Sequence, residues 1–201
     1  MSRADRRLPS DIRPIIIESG ICLSSQGSSH LKFGNTEVIV NVVGPKECRY
    51  REIETDKSRV HVKTYPEMHE INDIIATTVI NSLDCEAYPD TTIEISVTII
   101  CDNGSLACCA ANATVLALFD AGLKLKNKVS SSCFAFKGDV IMLDPTKHEE
   151  EVSDGVVTFV YSHEDNKVFS TFFQGSVKPA LLMATLANAT CNKLTFEKYF
   201  K

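Results

Sequence analysis

The chain has 201 residues, of which 44% are hydrophobic and 23% charged, and its formal net charge is −5. These values are typical of a globular domain, and they exclude a disordered, collagen-like or coiled-coil chain. The acidic balance argues against binding of nucleic acid through overall charge, because counterion release requires clustered Lys and Arg. Any contact with nucleic acid must therefore be local.

The sequence also restricts the compartment. It has no apolar run of about 18 residues or more, and its first residues, MSRADRRLPSDIRP, lack the apolar stretch of a secretory signal. We therefore expect an intracellular protein without a membrane span. Seven of the eight cysteines lie in apolar or strand-like segments, which predicts buried free thiols. No C-x-x-C pair or Cys–His spacing indicates a structural zinc site.

The first third of the chain predicts strands followed by a helix. Residues 15–65 alternate apolar and polar side chains between the turn signals Gln26-Gly27-Ser28 and Gly34-Asn35, a pattern typical of an antiparallel meander. Pro66-Glu67-Met68 then opens a segment whose apolar residues recur at three- and four-residue spacing. This spacing predicts a helix with one buried stripe, formed by Met68, Ile71, Ile75, Val79 and Leu83.

The rest of the chain continues with strands and two further helices. TTIEISVTIIC, residues 91–101, predicts a buried strand. The turn Asp102-Asn103-Gly104 leads into an Ala- and Leu-rich segment, which predicts a buried central helix that ends near Gly122. A final helix is predicted from Lys178-Pro179 through Leu186, after four strands at Val129–Phe136, Val140–Leu143, Gly155–Ser162 and Val168–Gln174. This order of elements predicts a single layered α+β domain over residues 1–201.

Three segments of the sequence resemble one known family. DNGSLACCAANATVLALFDAG, beginning at Asp102, resembles the signature of the RNase PH family, in which an acidic turn leads into an Ala-rich helix. SSQGSSHLKFGNTEVIVNVVGPKE looks like the family's first hairpin, and VIMLDPTKHEEE looks like its acidic segment. The resemblance covers about residues 13–186. It implies an RNase PH-type fold, which is similar to domain 2 of ribosomal protein S5, with mixed sheets, two central helices and a C-terminal helix.

The resemblance also implies an assembly and a reaction. Members of the family dimerise edge to edge and form hexameric rings around a channel for single-stranded RNA. Phosphorolysis by such rings requires cationic donors, because inorganic phosphate must be held beside the RNA 3′ end. Active members place Thr and Arg after the acidic turn, where this sequence has Ser105 and Leu106. Further family arginines fall near Asp73 and Thr77, and residues 68–87 contain no Lys or Arg.

These replacements predict a subunit that has lost phosphate binding. Each missing charge-assisted contact is worth about 1.5–3 kcal/mol, so the loss of several would lower the rate by several orders of magnitude. The acidic positions of the family are better kept, at Asp144 and Glu150, with Glu149 adjacent. The segment Asp144-Pro145-Thr146 resembles the corresponding segment of inactive exosome ring subunits, in the half of the ring that is similar to bacterial RNase PH.

The acidic residues allow two interpretations. Asp144 and Glu150 could bind Mg²⁺ or act as a general acid, and Ser105 with the helix amides could hold an anion weakly. The favoured interpretation is that residues 144–146 form a turn and residues 148–151 a solvated acidic edge. We therefore treat Asp144, Glu150 and Ser105 as vestigial, and we expect no catalytic residue, no cofactor and no metal site.

The densest basic patch surrounds the predicted loop between the third and fourth strands, EIETDKSRVHVK, which the resemblance places at the channel mouth. The predicted RNA contacts are Lys57, Ser58, Arg59, Arg49, Arg51 and Lys63. A solvated strand face would look similar, so both interpretations stay open. A second cluster, formed by Lys124, Lys126 and Lys128, is expected only to solubilise the end of the central helix.

The leading hypothesis is a non-catalytic ring subunit of the exosome, acting in nucleus, nucleolus and cytoplasm. It would pair with other RNase PH-like chains, line the RNA path and leave hydrolysis to associated nucleases. The alternative is a homodimeric nuclease, in which Asp144 and Glu150 support metal-dependent hydrolysis or residual phosphorolysis of RNA or DNA outside the ring. A third hypothesis is a scaffold that never contacts nucleic acid. Unpaired sheet edges in this fold favour a homodimer when the chain is isolated.

Overall fold

A computed structural model of the chain describes residue 3 and residues 5–47, 56–165 and 167–187. Within these residues the first sheet contains β1 (Ile15–Ser19), β2 (Gly27–Phe33), β3 (Thr36–Glu47), β4 (Arg59–Tyr65) and β5 (Thr91–Cys101), in the order β1-β2-β3-β5-β4. The second sheet contains β6 (Val129–Lys137), β7 (Val140–Leu143), β8 (Gly155–Ser162) and β9 (Val168–Gly175), in the order β7-β6-β8-β9. In the described part of the chain four α-helices accompany the sheets, α1 (His69–Ser82), α2 (Leu106–Asp120), α3 (Lys147–Val152) and α4 (Pro179–Ala187).

The two long helices, α1 and α2, lie between the sheets. Helix α2 packs on β2 and β3 of the first sheet and on β6 of the second, while α1 packs on α2, β4 and β6. The inward side chains of both sheets join these helices in one core cluster, which includes Val40, Ile95, Cys133 and Val160. A second cluster lies on the other face of the second sheet, where Leu182 of α4 packs near Phe159. Strand β6 is therefore buried on both faces.

Helix α2 is buried on almost every side, which explains its composition. Its small Ala and Cys side chains let neighbouring backbones approach closely. At Gly27 of β2, an added Cβ would overlap the backbone of Ala117 and Ala121, so this contact requires glycine. The buried polar residue Asn112 is satisfied, because its Oδ1 accepts from Ser131 N at 2.8 Å and its Nδ2 donates to Ser131 O at 3.1 Å. This side chain ties α2 to the second sheet.

Most predicted elements are confirmed. The four strands after α2 agree with the prediction to within one residue, and Gly138, with φ +59°, lies in the turn between β6 and β7. The predicted helical stripe is buried in α1, except that Met68 precedes the helix and is 37% exposed. The thiols of Cys108, Cys109 and Cys133 are buried and free, whereas Cys101 is exposed. Burial raises the pKa of the three buried thiols.

Two strand predictions are wrong. Strand β4 does not continue the antiparallel meander, because it pairs in parallel with β5 at the edge of the sheet. Parallel neighbours need a crossover connection, which α1 supplies between β4 and β5. Strand β5 is buried on one face only, since Ile93, Ile95 and Val97 point into the core while Glu94 is exposed. None of the helices in the described ranges is long and apolar enough to cross a membrane.

Candidate functional site

A cavity of about 640 Å³ opens beside the start of α2. Its wall is formed by α1, the turn at residues 102–106, α3 and the strands β8 and β9. Of the described residues, six carboxylates and one lysine line it, namely Glu70, Asp73, Asp102, Glu150, Glu151, Asp154 and Lys147. Much of the remaining wall is apolar, formed by Met68, Ile71, Ile74, Leu106, Val156, Phe172 and Phe173. Among the described residues no arginine lines the cavity, so its electrostatic character is strongly negative.

The backbone amide of Ser105, the residue directly before α2, is bound by a carboxylate of the same chain. Ser105 N donates to Glu150 Oε1 at 2.7 Å. The hydroxyl of Ser105 does not cap the helix, because it donates to the carbonyl of Pro145 at 3.0 Å. Burial raises the pKa of Glu150, and the Ser105 amide offsets this only in part. Glu150 thus sits where an external anion would otherwise meet the positive end of the helix.

The acidic turn before α2 is held against the segment that leads into α3. Gly104 has φ +85°, and an added Cβ would overlap the backbone of Thr146 and Lys147. Lys147 N donates to Asn103 O at 3.1 Å, and Lys147 Nζ forms an ion pair with Asp102 at 2.8 Å. Only glycine permits this approach without strain. The contacts fix Glu150, one turn further along α3, relative to the start of α2.

Asp144 belongs to a different environment. Arg13 binds its carboxylate through two guanidinium contacts, Nε to Oδ2 at 2.9 Å and Nη2 to Oδ1 at 2.6 Å. The amide of Arg13 donates to the same Oδ2 at 2.8 Å, and Asp144 is only 3% exposed. Arg13 also donates to the carbonyls of Asn103 at 2.7 Å and Gly104 at 3.0 Å. Asp144 does not line the cavity, so the structure does not bring Asp144 and Glu150 together as a pair facing one ligand.

Glu149 is buried by a second arginine from the start of the chain. Arg3 forms a bidentate pair with it, Nε to Oε1 and Nη2 to Oε2, both at 2.8 Å. Glu149 also completes a capping box with Thr146 at the start of α3. Although burial raises the pKa of Glu149, the contacts with Arg3 and Thr146 outweigh it and lower the pKa.

The prediction of a solvated acidic edge at residues 148–151 is therefore wrong for Glu149 and Glu150. His148 and Glu151 are exposed, as predicted. The prediction failed because the counterions of Asp144 and Glu149 are Arg13 and Arg3, more than 100 residues away in the sequence. Sequence reasoning missed both arginines, because a charged N-terminal segment normally indicates a solvated one.

The predicted RNA contacts occupy several environments. Lys57 forms an exposed ion pair with Glu86 at 2.8 Å. Ser58 is 8% exposed, and its hydroxyl oxygen is buried, so the hydroxyl is not accessible to RNA in this conformation. Arg59 and Lys63 lie in strand β4, whereas the sequence had indicated a loop. Arg49 and Arg51 lie outside the described residues.

Solved structures share the fold defined by these sheets and helices. The crystal structure of rice Rrp46 superposes with a TM-score of 0.90 and 21% identity, covering 98% of this chain and 97% of that one. An archaeal exosome core chain superposes with a TM-score of 0.86 and 21% identity, covering 100% of this chain and 92% of that one. These similarities confirm the predicted RNase PH-type α+β fold.

The chain belongs to the 3′ exoribonuclease family of the RNase PH type. The profile of the family's domain 1 matches residues 11–124, and that of domain 2 matches residues 128–189. The Arabidopsis thaliana protein named exosome complex exonuclease RRP46 homolog is 29% identical over 184 residues, 88% of this chain and 76% of that protein. Exosome complex component Rrp41 of Nitrosopumilus maritimus is 23% identical over 193 residues, 88% of this chain and 79% of that protein.

Proposed function

We propose that the chain is a non-catalytic subunit of an exosome ring, assembled with other RNase PH-like chains around a path for single-stranded RNA. In this role it supports 3′-to-5′ RNA processing and degradation in the nucleus, nucleolus and cytoplasm. Relatives from plants and archaea that carry exosome names support the assembly. The loss of phosphorolysis is supported by the geometry at the start of α2.

The observation that carries this proposal is the carboxylate of Glu150 on the amide of Ser105, within a cavity lined by six carboxylates. A phosphate ion placed there would have no guanidinium among the described lining residues to neutralise it. At an effective dielectric constant of about 20, one negative charge about 4 Å from another raises the energy by about 4 kcal/mol. Several such repulsions prevent the two phosphates of a phosphorolytic complex from meeting here.

The alternative of a metal-dependent nuclease has less support. Both oxygens of Asp144 are bound by Arg13, which removes this residue from any metal site. Within the described ranges, no group of three His, Cys, Asp or Glu side chains is placed to hold a metal ion. We therefore propose that the chain uses no cofactor of its own.

The proposed RNA contacts include two basic residues of β4. Arg59 and Lys63 alternate with Val60 and Val62 along β4, and the valines pack against the core. The basic side chains therefore lie on the opposite face of the sheet. We propose that Arg59, Lys63 and Lys57 contact RNA phosphates together with Arg49 and Arg51.

The experiment that tests this function has two parts. The purified chain is incubated with labelled single-stranded RNA and DNA, with phosphate, with Mg²⁺ and with neither, and we expect no shortening of either substrate. Isolation of the tagged chain from cell extract is then expected to recover other RNase PH-like chains in equal amounts. Phosphate-dependent release of nucleoside diphosphates would refute the loss of catalysis, and recovery of the chain alone would refute ring membership.

A further inference from the structure

The acidic cavity has an apolar wall that reaches the protein surface. Met68, which precedes α1 and lines the cavity, is 37% exposed. Phe172 and Leu106 continue the apolar wall inward. Large apolar side chains that are exposed at the edge of a cavity mark surfaces where a ligand or partner packs.

The charges of the cavity are largely uncompensated. Lys147, the one lysine among the described lining residues, is already paired with Asp102 at 2.8 Å. Glu70 receives a neutral hydrogen bond, from Gln174 Nε2 at 2.9 Å. Asp73 and Glu151 are exposed and form no ion pair within the described part of the chain. An occupant must therefore bring positive charge.

The distribution of the carboxylates decides which kind of cation fits. They are spread over α1, the turn before α2, α3 and the start of β8, and no three of them within the described residues are placed to hold a metal ion. RNA is disfavoured because its phosphates would be repelled. Arg and Lys side chains instead combine a cationic head with an aliphatic stem that packs on apolar surfaces.

We infer that this cavity is a docking site for a basic segment of a partner protein, which inserts an Arg or Lys side chain between the apolar wall and the carboxylates. The aliphatic stem packs on Phe172 and Met68, and the charged head faces Glu150 and Glu151. Burial disfavours the ionised form of Glu150, and a cation at this position would favour it again. This site is separate from the RNA contacts proposed on β4, so it adds a protein partner to the ring function.

The test measures the binding of a labelled basic peptide. The fluorescent probe is the hexapeptide Gly-Leu-Arg-Leu-Arg-Gly, and its matched control has both arginines replaced by citrulline, which keeps the shape and removes the charge. We expect fluorescence anisotropy to show binding of the arginine peptide and at least about tenfold weaker binding of the citrulline peptide. The double variant Asp73→Asn with Glu151→Gln is expected to bind the arginine peptide at least about tenfold more weakly than the wild type.

A matched double variant controls for overall charge. Glu47→Gln with Glu164→Gln removes two exposed carboxylates that do not line the cavity, and it should bind like the wild type. Circular dichroism checks that every variant is folded. Absence of binding, equal binding of both peptides, or equal losses in the two double variants would each overturn the proposal. Displacement of the peptide by a single-stranded RNA hexamer, but not by free arginine amide, would also overturn it and assign the cavity to RNA.

Discussion

The ion pair between Arg13 and Asp144 joins the first residues of the chain to the turn before α3, and its removal is the most direct test of this connection. The variant Arg13→Met keeps a side chain of similar length but removes both guanidinium contacts with the carboxylate of Asp144. Asp144, which is 3% exposed, then keeps the amide of residue 13 at 2.8 Å and the guanidinium of Arg7 at 3.4 Å as donors. Removing one partner of a buried ion pair costs about 3–5 kcal/mol when the remaining charge is uncompensated, and the contact with Arg7 reduces this cost.

Additional losses in this variant act in the same direction. The carbonyls of Asn103 and Gly104 lose their guanidinium donors, which lie at 2.7 and 3.0 Å. Both carbonyls keep another donor, Lys147 N for Asn103 and the Thr36 hydroxyl for Gly104, so each lost contact costs only about 0.5–1.5 kcal/mol. Together with the lost ion pair, we expect the free energy of unfolding to fall by at least about 2 kcal/mol. Urea denaturation followed by circular dichroism measures this change.

Two further variants make the measurement specific. The double variant Arg13→Met with Asp144→Asn leaves no uncompensated charge, and it should recover part of the lost stability. Lys178→Met breaks the exposed ion pair with Asp139, and it should cost much less stability than Arg13→Met, because solvent screens an exposed pair. If Arg13→Met costs no more than Lys178→Met, the buried pair does not stabilise the fold as the structure indicates.

Three other variants extend the test to the cavity and its supports. Gly104→Ala should lower the free energy of unfolding by more than about 1 kcal/mol in urea denaturation, because the residue has φ +85° and its new Cβ would overlap the backbone of Lys147. Since Arg3 lowers the pKa of Glu149 below its value in the unfolded chain, its contribution is present above about pH 4.5 and is lost as the pH falls through the lowered pKa. Glu149→Gln should therefore flatten the acid limb of stability against pH, and an unchanged limb would contradict the assignment. Burial raises the pKa of Glu150, so its charge destabilises the fold at neutral pH, and Glu150→Gln should raise the melting temperature at pH 7 but not below the pKa of the unfolded carboxyl.

The sequence predicted those features that depend on local pattern. The spacing of Ile71, Ile75, Val79 and Leu83 identified α1, since residues three and four apart share one face of a helix. The strands from Val129 onward were predicted almost to the residue, because turn signals bound them on each side. The absence of Lys and Arg from residues 68–87 also predicted a site without phosphate-binding arginines on α1, and none lines the described cavity.

The candidate site could be predicted only in part. Ser105 and Glu150 were recognised as candidates, but their mutual contact at 2.7 Å was not, because they lie 45 residues apart in the sequence. Asp102, Lys147 and Asp154 were not recognised as cavity residues at all. Each resembles an ordinary surface residue of a turn or helix end when its neighbours in space are unknown.

Composition and periodicity by themselves determined the buried faces, the long helices and the strands of this protein, since each reflects how neighbouring residues divide between core and solvent. Only the tertiary structure decided that β4 pairs in parallel with β5, and that Arg3 and Arg13 neutralise Glu149 and Asp144. The physical reason is that the alternation of apolar and polar residues in a strand shows which face is buried but not which strand pairs with it. A charged residue likewise needs a counterion when it is buried, but the sequence does not show which residue supplies it. The strand pairing and the ion pairs both depend on the path of the chain. This path brings Arg3 into contact with Glu149, 146 positions away, and Arg13 into contact with Asp144, 131 positions away.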